Sequence, residues 1–395
     1  MRRAPALSFL LVTVFLDMLG LALIVPVMPA LMAGLTADAG SAVLWSGVLG
    51  SVYGLLQFAV SPLLGRLSDR YGRRPVLLAS LTLLGVDWLA HALADSPWTL
   101  LLFHALAGAC AGTNTVVNAY LADVTPPAGR ARAYGLAGAA YGLGFMAGPV
   151  LGGLLGAAGV RLPFLAAAGL SLANVAYGWF VLPESRAGDR STTLTLRGAN
   201  PVAAIAAVLR RPVLGRLARA RFLADAGRMT HQSVWTFFVA YQFAWSTAHI
   251  GVVMAVNAVT VAVVQTRATG PIARRLGDRR AAVAGSLLVA ASFLGTGLAT
   301  APWMLYLSLA VGVPGVLAVA ATMSWISRRI GDGEQGTVQG ALSGVSAAAE
   351  TIVPVTAGAI FGTSLAYGRP GLVFVLAAIL AATSALLLAR TPDER

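Results

Sequence analysis

The stretch "GRLSDRYGRRP", residues 65–75, lies between two long apolar runs. It gathers Arg66, Asp69, Arg70, Arg73 and Arg74 in a chain whose charged residues are only 11% of the total. A thinner copy, "GPIARRLGDRR", returns at 270–280. In register, Gly65, Arg70, Gly72 and Arg74 meet Gly270, Arg275, Gly277 and Arg279, while Asp69 meets Arg274. A charged hairpin that occurs twice between apolar runs points to a duplicated bundle embedded in a membrane.

Composition agrees. The 395 residues are 57% hydrophobic with a mean hydropathy of +0.78, which leaves too little polar surface for a soluble domain of this size. Basic residues outnumber acidic ones, 28 to 15, and none is lysine. In a soluble protein a net charge of +13 would suggest nucleic acid. Here the arginines fill short gaps between apolar segments, so the expected partner is the lipid bilayer and not nucleic acid. The single Cys110 excludes a disulfide within the chain and any multi-cysteine metal site. The start runs directly into a segment long enough to span, with no small-residue cleavage site, so no cleavable signal peptide is expected.

A helix needs roughly 20 apolar residues to cross hydrocarbon. By that measure the sequence predicts twelve spanning helices, with cores near 7–30, 44–64, 75–94, 98–121, 133–156, 162–182, 217–243, 250–269, 281–300, 302–324, 338–361 and 371–390. The expected fold is therefore an all-α polytopic membrane protein built from two pseudo-symmetric six-helix bundles. Its predicted domains are 1–182, a cytoplasmic linker 183–215 and 216–395. Arg2–Arg3, the 65–74 cluster, Arg130/Arg132, Arg186 to Arg216, Arg274–Arg280 and Arg328/Arg329 fall on alternate loops, whereas the opposite loops offer only Arg161 and Arg369. That asymmetry predicts cytoplasmic termini. Two similar halves with a cavity between them is the arrangement of a rocking transporter; a duplicated bundle with no transport role is the other reading.

"GRLSDRYGRRP" resembles the signature between the second and third helices of the major facilitator superfamily, and the resemblance extends over essentially the whole chain. Within that family, "LDMLGLALIVPVMPAL", "AYLADVTPPAGRARAYG" and "GFMAGPVLGGLLG" with "LPES" resemble the tetracycline-efflux group of drug/proton antiporters. The resemblance implies a multi-pass protein of the bacterial inner membrane that works as a monomer and exports an amphipathic, tetracycline-like drug or metabolite in exchange for protons. Proton-coupled import of a sugar or small metabolite is the alternative; the glycine pattern of the fifth helix argues against it.

The resemblance also implies a cytoplasmic latch of Gly65, Asp69, Arg70, Gly72, Arg73, Arg74 and Asp123. In it, Asp69 pairs across the halves near the start of the eleventh helix and Arg70 reaches Asp123. A solvated positive-inside loop is the competing reading; it explains the arginines but neither the carboxylate nor the glycine spacing. In the fifth helix, Gly142, Gly144, Gly148, Gly152 and Gly156 recur at helical spacing around Pro149, which should bend the helix. A sliding hinge and a static packing seam both fit such small residues.

Charges inside lipid are costly, about 2.5–3.5 kcal/mol on insertion scales, so they mark function or tight pairing. Asp17 lies in the first helix, Asp87 in the third, Asp225 and Arg228 in the seventh and Glu350 in the eleventh. Asp17 and Asp87 match carboxylates of the tetracycline-efflux group, and a carboxylate in a poorly hydrated cavity can carry a proton near neutral pH. The chain departs from the group where the fourth helix has His104 in place of an arginine and the ninth has Val289 in place of an aspartate. The seventh helix adds Arg221, Asp225, Arg228 and His231 along one side. Either coupling or charge recognition has moved partly into the C-terminal half, or Asp225 and Arg228 are a static buried pair. Gln57, Asn114, Asn118, Gln232, Gln242 and Asn257 are candidate polar lining. Tyr53, Tyr141, Trp235, Phe238 and Trp325 are candidate aromatic lining, and helix packing is the other reading for each. There is no phosphate-binding glycine loop and no zinc spacing, so neither an enzyme nor any cofactor or metal is expected.

Overall fold

The structure, a computed structural model, describes residues 3–110, 113–126, 129–185, 201–330 and 335–392. Asn114's side chain and most of the polar interval after Ser185 lie outside them. The described residues outside turns and loops are helical. Among the described residues, ten helical segments are long and apolar enough to cross a membrane; the fourth and seventh predicted spans are not among them. The fourth is described as two pieces, α5 (Pro97–Cys110) and α6 (Thr113–Val124). The seventh, within α10 (Pro212–Phe243), carries the charges noted above.

Prolines divide two of the predicted spans. The first is α1 (Arg3–Ile24), a 3₁₀ turn at Val25–Val27, then α2 (Met28–Leu35), because Pro26 and Pro29 cannot donate to the helical ladder. The tenth divides at Pro314 into α14 (Pro302–Gly312) and α15 (Val316–Ser327). The remaining helices are α3 (Ala39–Tyr71), α4 (Arg73–Leu93), α7 (Arg130–Ala158), α8 (Leu162–Val181), α9 (Pro201–Arg210), α11 (Thr247–Arg267), α12 (Thr269–Leu276), α13 (Asp278–Gly297), α16 (Gln335–Ala366) and α17 (Leu372–Ala389).

The chain forms two compact units. The first comprises residues 1–37, 52–199 and 245–255, and so includes the opening turns of α11. Its core joins Phe9, Leu10, Leu77, Leu81, Val117, Tyr120 and Leu121. A β-carbon on Gly144, Gly148, Gly152 or Gly156 would strike Phe15, Ala22, Leu23 or Val27. These four glycines of α7 therefore pack closely against α1 and the turn that follows it. Gly142 is not part of this contact and borders open space. On the neighbouring face, Gly251 of α11 sits against the carbonyl of Pro149.

The second unit comprises residues 38–51, 200–244 and 256–395. Its core is built on Leu217, Ala218, Ala281, Ala321, Trp325, Ile326 and Leu342, with a second cluster around Phe293, Ala377 and Ala381. Here Gly47, from the opening of α3, sits against the carbonyl of Pro354 in α16. The Ser51 hydroxyl accepts the N–H of Val355 at 3.1 Å. Asp38 begins this helix by accepting the Ser41 N–H at 2.9 Å and its hydroxyl at 2.6 Å, which holds the Asp38 carboxyl below the usual range.

Candidate functional site

The 65–75 hairpin turns at Gly72, whose φ of +99° suits glycine. Glu184, from the "PES" after α8, fills the space a β-carbon would need. Its carboxylate accepts the N–H of Arg73 at 2.8 Å and of Arg74 at 3.2 Å, so it caps the start of α4 where the exposed amides favour an anion. Arg73 is the centre of the ion network: it pairs with Asp69 at 2.7 Å, with Asp123 at 3.1 Å, and donates to Ser68 at 2.5 Å. The expected Arg70–Asp123 contact is thus made by Arg73 instead. At the first position of α4, Arg73 turns inward and is buried, whereas Arg70 lies over Tyr71 at the end of α3. Arg74 donates to the Trp179 carbonyl and covers that indole. Gly65 rests against Thr115 of α6.

Deeper in the first unit, Asp87 of α4 is 1% exposed. His104 of α5 meets one of its oxygens at 3.0 Å, and His91, one turn along α4, meets the other at 3.4 Å. The His91 Nδ1 also lies 3.0 Å from the Asp87 backbone carbonyl. Trp88 packs edge-on to the His91 ring and Phe164 stacks on it, and Tyr53 lies against His104 with ring centres 4.9 Å apart. Asp87 therefore faces two imidazoles. Tyr53 is within electrostatic reach of both Asp87 and Asp17. Asp17 itself is half-buried and has no hydrogen-bond partner among the described residues. Gln57 is half-buried; Asn118 and Tyr141 are exposed.

The second unit holds a partly open cavity of about 330 Å³. Its lining includes Arg221, Asp225, Arg228, His231 and Asn257, the hydroxyls of Ser286, Ser292, Thr322 and Ser384, and an apolar wall with Val289, Phe293, Leu309, Val313 and Val316. Asp225, 3% exposed, is gripped by Arg221 at 2.6 Å, Arg228 at 3.4 Å and the Ser346 hydroxyl at 2.7 Å. Arg228 also donates to Gln232 at 3.3 Å. Glu350, exposed on α16, stands within electrostatic reach of both arginines. The position where the resemblance expects an aspartate, Val289, forms apolar cavity wall. Trp235, Phe238 and Trp325 belong to the buried interior, and Gln242 is exposed.

Three participants escaped the sequence reading. His91 had a signal, its four-residue spacing from Asp87, which places both on one face of a helix. Glu184 lay in the quoted "LPES" but without a role, and Ser346 had no signal, because their partners are distant in sequence.

A family model described as the Major Facilitator Superfamily matches residues 10–224 and 217–395. The class C tetracycline resistance protein of Escherichia coli is 35% identical over 96% of this chain and 95% of its own length. The class G protein of Vibrio anguillarum is 33% identical over 96% and 95%. Among solved structures, a D-xylose–proton symporter aligns over 100% of this chain and 99% of its own, with a TM-score of 0.78 at 16% identity. The human organic anion transporter MFSD10 (TETRAN) aligns over 98% and 100%, with a TM-score of 0.66 at 24% identity. At such identities the two structures speak for the fold alone. From the repeated hairpin, the paired bundles and these relatives together, the chain belongs to the major facilitator superfamily.

Proposed function

We propose that this protein is a proton-coupled exporter of an amphipathic, tetracycline-like drug or metabolite, working by alternating access in a bacterial inner membrane as a monomer with cytoplasmic termini. The observation that carries the reading is the Asp87 carboxylate, buried between two imidazoles within the hydrophobic span of α4. A buried ionisable cluster is costly to keep in lipid, and imidazole is the side chain that changes charge most readily near neutral pH. Asp87 and His104 carry the proton, with Asp17 as a further intramembrane carboxylate of the same unit. The cavity of the second unit takes the substrate: its walls are mostly apolar, and the Arg221–Asp225–Arg228 network supplies the charged groups that orient it, beside the hydroxyls of Ser286, Ser292, Thr322 and Ser384. The sequence kinship with tetracycline resistance proteins supports the direction and the substrate class.

The test is transport by purified protein in liposomes. An imposed pH gradient should drive tetracycline movement and tetracycline should release protons, with both signals lost in Asp87→Asn. A gradient that moves no compound across a panel of amphipathic drugs would overturn the reading.

A further inference from the structure

The same triad in the first unit has the donor set of a metal centre. One nitrogen from each of His91 and His104 and one oxygen of Asp87 lie within 4.8 Å of one another. The His104 Nδ1–Asp87 Oδ2 separation is 3.0 Å. A tetrahedral ion that binds nitrogen and oxygen at about 2.0–2.2 Å places neighbouring ligand atoms about 3.3–3.5 Å apart, so a small outward rotation of the side chains opens the site. Two atoms of the cluster, Asp87 Oδ1 and His91 Nε2, are buried without a hydrogen bond. Orphaned polar atoms in an interior are where an ion is to be sought.

The route inwards is on the His104 side: that side chain is 12% exposed, against 0% for His91 and 1% for Asp87. Two imidazoles and one carboxylate suit borderline ions such as Zn²⁺ or Co²⁺, whereas Mg²⁺ and Ca²⁺ require shells of oxygen.

We propose that Asp87, His91 and His104 bind a divalent transition-metal ion of the Zn²⁺ type. The binding does not depend on the proposed function.

The test uses full-length, metal-stripped protein in detergent, titrated with Co²⁺. Saturable visible absorption at one equivalent, displaced by Zn²⁺, is expected. Asp87→Asn, His91→Ala and His104→Ala should each weaken it by about 10- to 100-fold. His91→Gln, close in volume, guards against misfolding and should weaken binding equally, with an unchanged circular dichroism spectrum. Absence of a saturable band, or equal affinity in all four variants, would overturn the proposal. In liposomes, Zn²⁺ should inhibit pH-driven transport of the wild type. Metal binding in protein that shows no proton-driven transport would sink the proposed function and leave the metal site standing; transport without binding would do the reverse.

Discussion

The two units carry the same hairpin with opposite chemistry. In the first, Gly72 turns into α4 and the next residue, Arg73, pairs with Asp123 near the end of α6. In the second, Gly277 turns into α13 with a φ of +75°, and the next residue, Asp278, pairs with Arg328 just past α15. The offset that aligns Gly72 with Gly277 also aligns Arg73 with Asp278 and Asp123 with Arg328. Duplication kept the ion pair and exchanged its ends, which is tolerable because a close pair is attractive whichever partner bears which sign. Pro149 and Pro354 obey the same offset, and each receives a glycine on its carbonyl, Gly251 and Gly47 respectively. The scaffold is thus conserved between the repeats.

The interior is not. Asp87, His91 and His104 correspond by that offset to Ser292, Thr296 and Leu309. Ser292 and Leu309 line the cavity of the second unit. Where one unit holds ionisable groups in contact, the other holds neutral ones around empty space. Its charges sit on α10 instead. The contrast suggests a division of labour: proton chemistry in the first unit and ligand binding in the second.

The largest expected effect separates those roles. Asp87→Asn should abolish proton-driven transport in liposomes, and His91→Ala should reduce it strongly. Thr296→Val, at the position corresponding to His91, should leave it intact. Loss of transport in the threonine variant would break the contrast.

Next comes Asp225→Asn, which removes the direct ion-pair partner of Arg221 in a buried setting. Removing one partner of such a pair costs about 3–5 kcal/mol, and the half-exposed Arg228 places the expectation at the lower end. Thermal unfolding in detergent measures it, and an unchanged midpoint would show that the network is dispensable to folding.

A smaller effect tests the charge exchange. Arg73→Asp and Asp123→Arg should each destabilise the first unit, and the double variant, which copies the polarity of the second, should recover part of the loss. Additive losses in that cycle would mean that the pairing is not interchangeable. Recovery will be incomplete because Arg73 also holds Ser68 and Asp69.

The smallest compares the turns. Gly277→Ala incurs only the cost of a positive φ, about 1–2 kcal/mol, since nothing lies near its missing side chain. Gly72→Ala must also displace Glu184 from its cap, adding about 1 kcal/mol. Equal melting shifts would remove Glu184 from the account.

Much of the molecule could be read in advance. Apolar run length gave the spans, and the repeated hairpin gave the duplication, because hydrocarbon leaves the backbone few options and glycine marks the turns. The intramembrane charges also stood out, since lipid makes each one rare. Their partners did not. Asp17 and Asp87 are similar as letters, yet one has no hydrogen bond among the described residues and the other meets two imidazoles. Arg70 and Arg73 were equally eligible for Asp123, and rotation of the first turn of α4 chose between them. Sequence alone determined which segments cross the membrane and that the halves repeat, because those follow from hydrophobicity along the chain. Tertiary structure decided which charges meet, which glycines meet a neighbouring helix and where space remains, because angstrom-scale contact between helices distant in sequence has no signature in the order of residues.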